Sequence, residues 1–306
     1  MHDEASARAV LIALGLEAVG LEPIGLGLAS DAWLVRDGHG SSVLRIANDG
    51  SDALPTYPME HVLMARLTAV GASVPSPIAG DWDVEGWTGP PFSLTTEVAG
   101  TPLRPEAHDR AARAIAAFLR SMHGLRIDGF GPLTVMDGEL RGPDIDLATG
   151  LKAWAQRPLW PLGDARLDDQ PSLADRLELV ARLEAYATIV RDALSRGPAV
   201  PLHSDLHGEN VLDADGSLSF IDFGEALIGP AAWEFAALGY FLGWPFADRI
   251  LAAYLEDGPD FDRWRADASA IALCFGAYRR PQDRELGFDE DDHNETFLRE
   301  ALERLG

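Results

Sequence analysis

Three side chains in one short stretch have the types and spacing to do chemistry. Between Pro201 and Ala226 the chain reads PLHSDLHGENVLDADGSLSFIDFGEA, in which Asn210 follows Asp205 by five residues and Asp222 opens an Asp-Phe-Gly tripeptide. A carboxylate within hydrogen-bond reach can orient an acceptor hydroxyl and take its proton, and Asp205 suits that task. Magnesium prefers hard oxygen ligands, which the Asn210 amide and the Asp222 carboxylate can supply from two neighbouring loops. Either half alone reads as an ordinary polar loop or a strand-ending turn. Both in order, separated by a turn at Asp215-Gly216 and one strand, point to phosphoryl transfer.

H-x-D-x-x-x-x-N followed by D-F-G is the arrangement of kinase catalytic and metal loops. The string HSDLHGENVL…IDFGEA resembles the HGDLHPGNIL…IDW/FGxA signature of the aminoglycoside phosphotransferase family, which is built on the protein-kinase fold. The resemblance is specific over about 201–240 and looser elsewhere. Ser204 stands where that family usually has glycine. The segment from Ala231 through Trp233, Glu234 and Phe235 to Ala236 resembles the family's D-x-A-W/Y-D-L-A, with Glu234 in place of Asp as a structural brace. The resemblance implies an α+β, protein-kinase-like two-lobe fold with the nucleotide between the lobes. Residues 1–99 would form a small N-lobe with an antiparallel sheet, and residues 100–306 a larger, mainly helical C-lobe with the acceptor pocket. Asp205 would be the base, with Asn210 and Asp222 holding Mg2+.

The elements that must position these groups are legible from periodicity. Residues 4–19 have helical spacing, after which short alternating pieces at 21–26, 32–36 and 42–47 read as strands, the last two joined by a hairpin signal at Asp37-Gly38-His39-Gly40. Between the first two lies GLGLASD, a G-x-G-x-x-G variant in which Ser30 replaces the third glycine. Backbone N–H groups from Ala29 to Asp31, with the Ser30 hydroxyl, can cradle phosphate oxygens. The strand containing Arg45 takes the place of the kinase strand that carries a phosphate-binding lysine, and arginine there keeps the charge with a bulkier, forked head. A helix over 56–70 holds Glu60, the expected partner of Arg45. Strands at 77–83 and 92–97 then lead into a hinge, where backbone groups of Thr96, Glu97 and Val98 are expected to meet the adenine edge. Further helices are expected over 106–125, near 149–156, and over 172–195, 246–256, 260–279 and 291–305.

Composition narrows the partners. The formal charge is −24, from 49 acidic against 25 basic residues, which argues against nucleic acid or an anionic membrane and suits a cationic small molecule. Lys152 is the one lysine among the basic residues, a bias towards arginine that carries no functional signal. The single Cys274 allows no internal disulfide and fits a reducing compartment. Asp3 and Glu4 stand where a secretory leader would be basic, and no apolar run reaches about twenty residues, so a cytoplasmic protein, monomeric or homodimeric, is expected. The sequence has no G-x-x-x-x-G-K-[ST] and no G-x-S-x-G. His203 and His207 lie in a loop motif whose first histidine braces backbone, which sets a zinc site aside.

The resulting expectation is an ATP-dependent (or GTP-dependent) O-phosphotransferase with Mg2+, acting on an aminoglycoside or related antibiotic. A macrolide, an amino sugar or choline remains open as the acceptor. A nucleotide-binding pseudokinase remains open as the alternative class.

Overall fold

The computed structural model describes residues 2–17, 20–26, 29–38, 40–48, 56–144, 146, 186–285 and 293–306. They form two compact units: Met1–Pro102 with Val135–Leu140 and Val211–Gly224, and Leu103–Thr134 with Arg141–Asn210 and Glu225–Gly306. The expected helix near 149–156, most of that over 172–195, and residues 27 and 28 of the glycine loop lie outside the described residues.

In the first unit, β1 (Gly20–Leu26), β2 (Ser30–Arg36), β3 (Ser41–Ala47), β4 (Pro77–Gly80) and β5 (Phe92–Thr96) make an antiparallel sheet in the order β1-β2-β3-β5-β4. Alternation along β3 sorts its side chains. Leu44 and Ile46 are fully buried against Ala7, Val10 and Leu11 of α1 (Glu4–Ala13), together with Trp33, Val35, Phe92 and Leu94. Arg45, between them, emerges on the opposite face, which is where α2 (Tyr57–Ala69) supplies its partner. The first helix is shorter than its periodicity suggests. Gly15 turns left-handed at φ +69°, and the N–H of Leu16 returns to the carbonyl of Leu11 at 2.9 Å, so the chain leaves the helix there. β4 likewise stops at Gly80, where the Asp83 carboxylate accepts from the Gly80 N–H at 2.9 Å and bends residues 81–83 into a tight turn.

A second sheet of this unit joins β6 (Thr101–Pro102), β11 (Val211–Ala214) and β12 (Ser217–Phe220) in the order β12-β11-β6. Asp215 and Gly216 link the last two strands, both at positive φ (+52° and +96°), as a two-residue hairpin loop requires. Asp213 accepts from the Gly216 N–H at 2.8 Å and fixes the turn that delivers Asp222.

The second unit is mainly helical. α3 (His108–His123) buries Ala111, Ile115, Phe118, Leu119 and Met122, the stripe its sequence spells. A small sheet orders β10 (Ala199–Leu202), β13 (Leu227–Pro230) and β7 (Gly131–Pro132) as β10-β13-β7. The strands β8 (Thr134–Met136) and β9 (Glu139–Arg141) pair with each other, and most of this hairpin, Val135–Leu140, belongs to the first unit. After α4 (Ala187–Leu194) come α5 (Ala232–Leu242), α6 (Trp244–Tyr254), α7 (Phe261–Glu285) and α8 (His293–Leu305). Trp233, Tyr240, Phe275 and Phe297 pack edge-on with centroids 5.1–5.6 Å apart, a geometry that favours aromatic pairs. Among the described residues, no helix is long and apolar enough to cross a membrane.

Candidate active site

Arg45 organises the groups in the first unit. Its guanidinium meets the Glu60 carboxylate at 2.5 Å, lies 3.6 Å from the Asp222 carboxylate and sits over the Tyr57 ring at 4.9 Å. Burial alone disfavours this charge, but Glu60, Asp222 and Tyr57 outweigh it, so the Arg45 pKa is raised and the group is cationic at any working pH. Glu60 is buried at 2 % exposure and also accepts from the Thr56 hydroxyl at 3.0 Å. Asp222, by contrast, keeps half of its side chain exposed and adopts φ +61°, an uncommon conformation for a residue other than glycine.

The glycine-loop residues are placed differently from one another. Ser30 starts β2 opposite Ala47 at its mouth. The Asp31 carboxylate is buried and accepts from the His2 N–H at 2.5 Å, while the His2 imidazole reaches the carbonyl of Ala47 at 2.7 Å. The side chain of Asp31 thus ties the first residues to the sheet. At the hinge, the N–H of Thr96 donates to Ser76 O at 2.9 Å and that of Glu97 to Ser41 O at 3.2 Å, so both donors are already engaged within the unit.

In the second unit the catalytic loop leaves β10 and is held by its own backbone. The N–H of His207 donates to Asp205 O and that of Asn210 to His207 O, at 2.9 and 3.0 Å. The Asn210 side-chain amide nitrogen donates to Asp205 O at 2.9 Å and lies 3.5 Å from the Asp205 carboxylate. With its nitrogen committed in this way, the Asn210 side chain has an amide oxygen to offer, a donor of the type hard cations take. In the first unit, the exposed Asp222 carboxylate is likewise a hard oxygen donor of the type magnesium takes. No cluster of three or more His, Cys, Asp or Glu side chains able to hold a metal occurs among the described residues. Gly208 lies so close to Leu103 that an added Cβ would stand 2.9 Å from the Leu103 carbonyl oxygen.

The loop's entry is braced from α5. Glu234, fully buried, accepts from the His203 N–H at 2.7 Å and from the Ser204 N–H at 3.3 Å. Burial pushes its pKa up to about 7 against the pull of these two donors, and the nearby Asp205 adds to the rise. Ser204 has φ +67°, which explains why glycine suits this position, and its hydroxyl accepts from the Trp233 indole N–H at 3.0 Å. His203 is buried with its ring edge-on to Phe118 at 6.5 Å, a packing role rather than a ligand's.

Two neighbours of Asp205 complete the loop. His207 Nε2 is 3.7 Å from one carboxylate oxygen and Arg279 Nη1 is 3.9 Å from the other. His207 belongs to the motif. Arg279 has no signal in the sequence, because its proximity to Asp205 comes from the packing of α7 against α5.

The Asp205–Asn210 pairing in the second unit and the buried Arg45–Glu60 pair on the five-stranded sheet of the first fit a small-molecule kinase. The chain matches the model of the phosphotransferase enzyme family (APH) over residues 20–266, and it belongs to that family. Among solved structures it is similar to a thermostable mutant of aminoglycoside phosphotransferase APH(4)-Ia in a ternary complex with ADP and hygromycin B, at TM-score 0.74 and 16 % identity over 97 % of each chain. It is also similar to the GDP complex of wild-type aminoglycoside 2'-phosphotransferase-IIIa, at TM-score 0.66 and 18 % identity, covering 99 % of this chain and 97 % of that one. An ethanolamine kinase of Plasmodium vivax aligns at TM-score 0.59 and 14 % identity over 92 % of this chain and 81 % of that one. No curated protein matches by sequence. The fold is the kinase-like one, with an antiparallel-sheet unit and a mainly helical one.

Proposed function

We propose that the protein transfers the γ-phosphoryl group of ATP, or of GTP, to a hydroxyl of a small molecule, an aminoglycoside or related antibiotic. Asp205 orients the acceptor hydroxyl and takes its proton as the new O–P bond forms. The bond from the γ-phosphorus to the bridging oxygen breaks, and the nucleoside diphosphate leaves. Arg45, held by Glu60, carries positive charge to the phosphates, and Ser30 with the backbone near Asp31 faces them. With Thr96 and Glu97 N–H groups engaged, the adenine edge falls to the Val98 N–H and the Glu97 carbonyl. Asn210 and Asp222 would hold Mg2+, which when bound would neutralise phosphate charge.

The observation that carries this reading is the pairing of Asp205 with Asn210 in a chain of the phosphotransferase family. The bound ligands of the similar structures, ADP with hygromycin B in one and GDP in another, support a nucleotide and an antibiotic acceptor. The test is phosphate transfer from labelled ATP and GTP, with magnesium, to panels of aminoglycosides, macrolides, peptide antibiotics and amino alcohols. Transfer to an aminoglycoside supports the full reading, and transfer only to another panel keeps the reaction but replaces the acceptor. Nucleotide binding with no magnesium-dependent turnover would leave a binding module and overturn the assignment.

A further inference from the structure

Tyr57 and Glu60 both stand in the first turn of α2, at a spacing that puts them on one face of the helix. The Arg45 guanidinium from β3 meets both. Its Nη2 reaches the Glu60 carboxylate at 2.5 Å, and its central carbon lies over the Tyr57 ring, 4.9 Å from the centroid. Tyr57 is buried, and among the described residues its hydroxyl has no hydrogen-bond partner in ordinary geometry, although the Ser30 side chain lies close to it. An unsatisfied hydroxyl costs stability and gives no reason for a tyrosine here. The contact Tyr57 does make with a charged group is through the face of its ring.

That contact supplies what the ion pair alone does not. A guanidinium is a planar fork of N–H donors, and a carboxylate gripping one of its nitrogens leaves the rest of the fork free to swing about that bond. Asp222 does not stop the swing, because at 3.6 Å from Nη1 it is beyond hydrogen-bond reach. A ring face under the head group is a second restraint on the same group, since a guanidinium is attracted to aromatic faces, more strongly where water is excluded. Arg45 keeps only a fifth of its side chain exposed, so this attraction is weakly screened. Held by Glu60 on one nitrogen and by Tyr57 beneath, the fork retains N–H donors that neither neighbour uses.

We infer that Tyr57 is a positioning residue of the nucleotide site, whose ring forms with Glu60 a two-sided seat that aims the Arg45 guanidinium at the nucleotide phosphates. The inference rests on the phosphotransferase reading above and deepens the part Arg45 has in it. It concerns the direction of the N–H donors and not the net charge of the cluster, which Glu60 and Asp222 already offset. The aromatic face is the working part of Tyr57, and its hydroxyl is dispensable.

The test measures the affinity of the full chain for ATP with magnesium and for adenosine, by isothermal titration. The variants are Tyr57→Phe, a series of increasingly fluorinated phenylalanines at position 57, and Tyr57→Leu. Ring fluorination nearly preserves shape while draining the negative charge of the ring face, so the series keeps the core packed even where Tyr57→Leu fails to fold. Tyr57→Phe should retain the preference for ATP over adenosine. Fluorination should then lower ATP affinity stepwise, by about three- to tenfold at the end of the series, with adenosine affinity unchanged. In an Arg45→Ala background the same series should be flat. ATP affinity indifferent to fluorination, equal losses for ATP and adenosine, or the same slope without Arg45 would each overturn the inference. So would a Tyr57→Phe variant that loses the ATP preference at once, because the hydroxyl would then be the working part. A wild type that binds no ATP, or an Arg45→Ala variant that keeps the full ATP preference, tells instead against the nucleotide reading on which the inference rests.

Discussion

The carboxylate of Glu234 on α5 accepts a 2.7 Å hydrogen bond from the backbone N–H of His203, two residues before the proposed base. An acid that is fully buried, with its pKa raised to about 7, thus holds the entry of the catalytic loop. Between the ordinary glutamate value of 4.5 and about 7 the folded protein keeps a proton that the unfolded chain has released. The stabilising contribution of this group is therefore complete at low pH and is lost as pH rises through 7, by about 3 kcal/mol in all. Glu234→Gln, which cannot ionise, should flatten the pH dependence of unfolding free energy between pH 5 and 8. Denaturant titrations across that range check it, and an unchanged slope would remove Glu234 as its source. Glu234→Ala leaves two buried N–H groups without their acceptor and should cost about 1–3 kcal/mol for each group left unsatisfied.

Asp205→Asn should lower kcat by about 10²–10⁴-fold while leaving nucleotide affinity nearly intact, because it removes the proton acceptor and little else. Steady-state kinetics beside a nucleotide-binding titration separate the two effects. A variant that keeps more than about a third of the wild-type rate would sink the assignment.

Asn210 and Asp222 predict different metal responses. Asp222→Ala removes the carboxylate ligand and should abolish turnover at every magnesium concentration. Asn210→Ala removes the proposed neutral ligand and also the anchor on Asp205, so activity should fall and the magnesium requirement should rise. Identical magnesium titrations for wild type and both variants would exclude these residues from metal binding.

Arg45 couples affinity to stability. Arg45→Ala should weaken ATP binding but hardly touch adenosine binding. It also strands a buried Glu60, which keeps the Thr56 hydroxyl as a donor, at a cost of about 3–5 kcal/mol. The double change Arg45→Ala with Glu60→Gln should recover much of that stability without recovering ATP affinity. Thermal unfolding and isothermal titration together decide the point. Equal losses for ATP and adenosine would make Arg45 a purely structural residue.

The parts of this fold that local chemistry dictates are readable in the sequence. Strict alternation along β3 puts Leu44 and Ile46 on one face and Arg45 on the other, and Asp215-Gly216 announces its two-residue turn. The boundaries that slipped have local physical causes, Gly15 turning left-handed after α1 and Asp83 folding back onto Gly80. Pairings distant along the chain leave no such trace. The burial of the Asp31 carboxylate against His2, and the approach of Arg279 to Asp205, follow from packing between elements whose own residue patterns are satisfied without it.

The tight approach of Gly208 to Leu103 bears on how such an enzyme could be re-engineered. Any side chain at position 208 would meet a backbone carbonyl that is itself fixed, since Gly208 O accepts from the Leu103 N–H at 3.0 Å. Libraries that randomise the loop would force a shift of the Leu103 backbone in variants with a side chain at this position, at a cost unrelated to acceptor choice. New acceptor scope has to be sought on the helix that carries Arg279, where substitutions change the surroundings of the base and leave its loop intact.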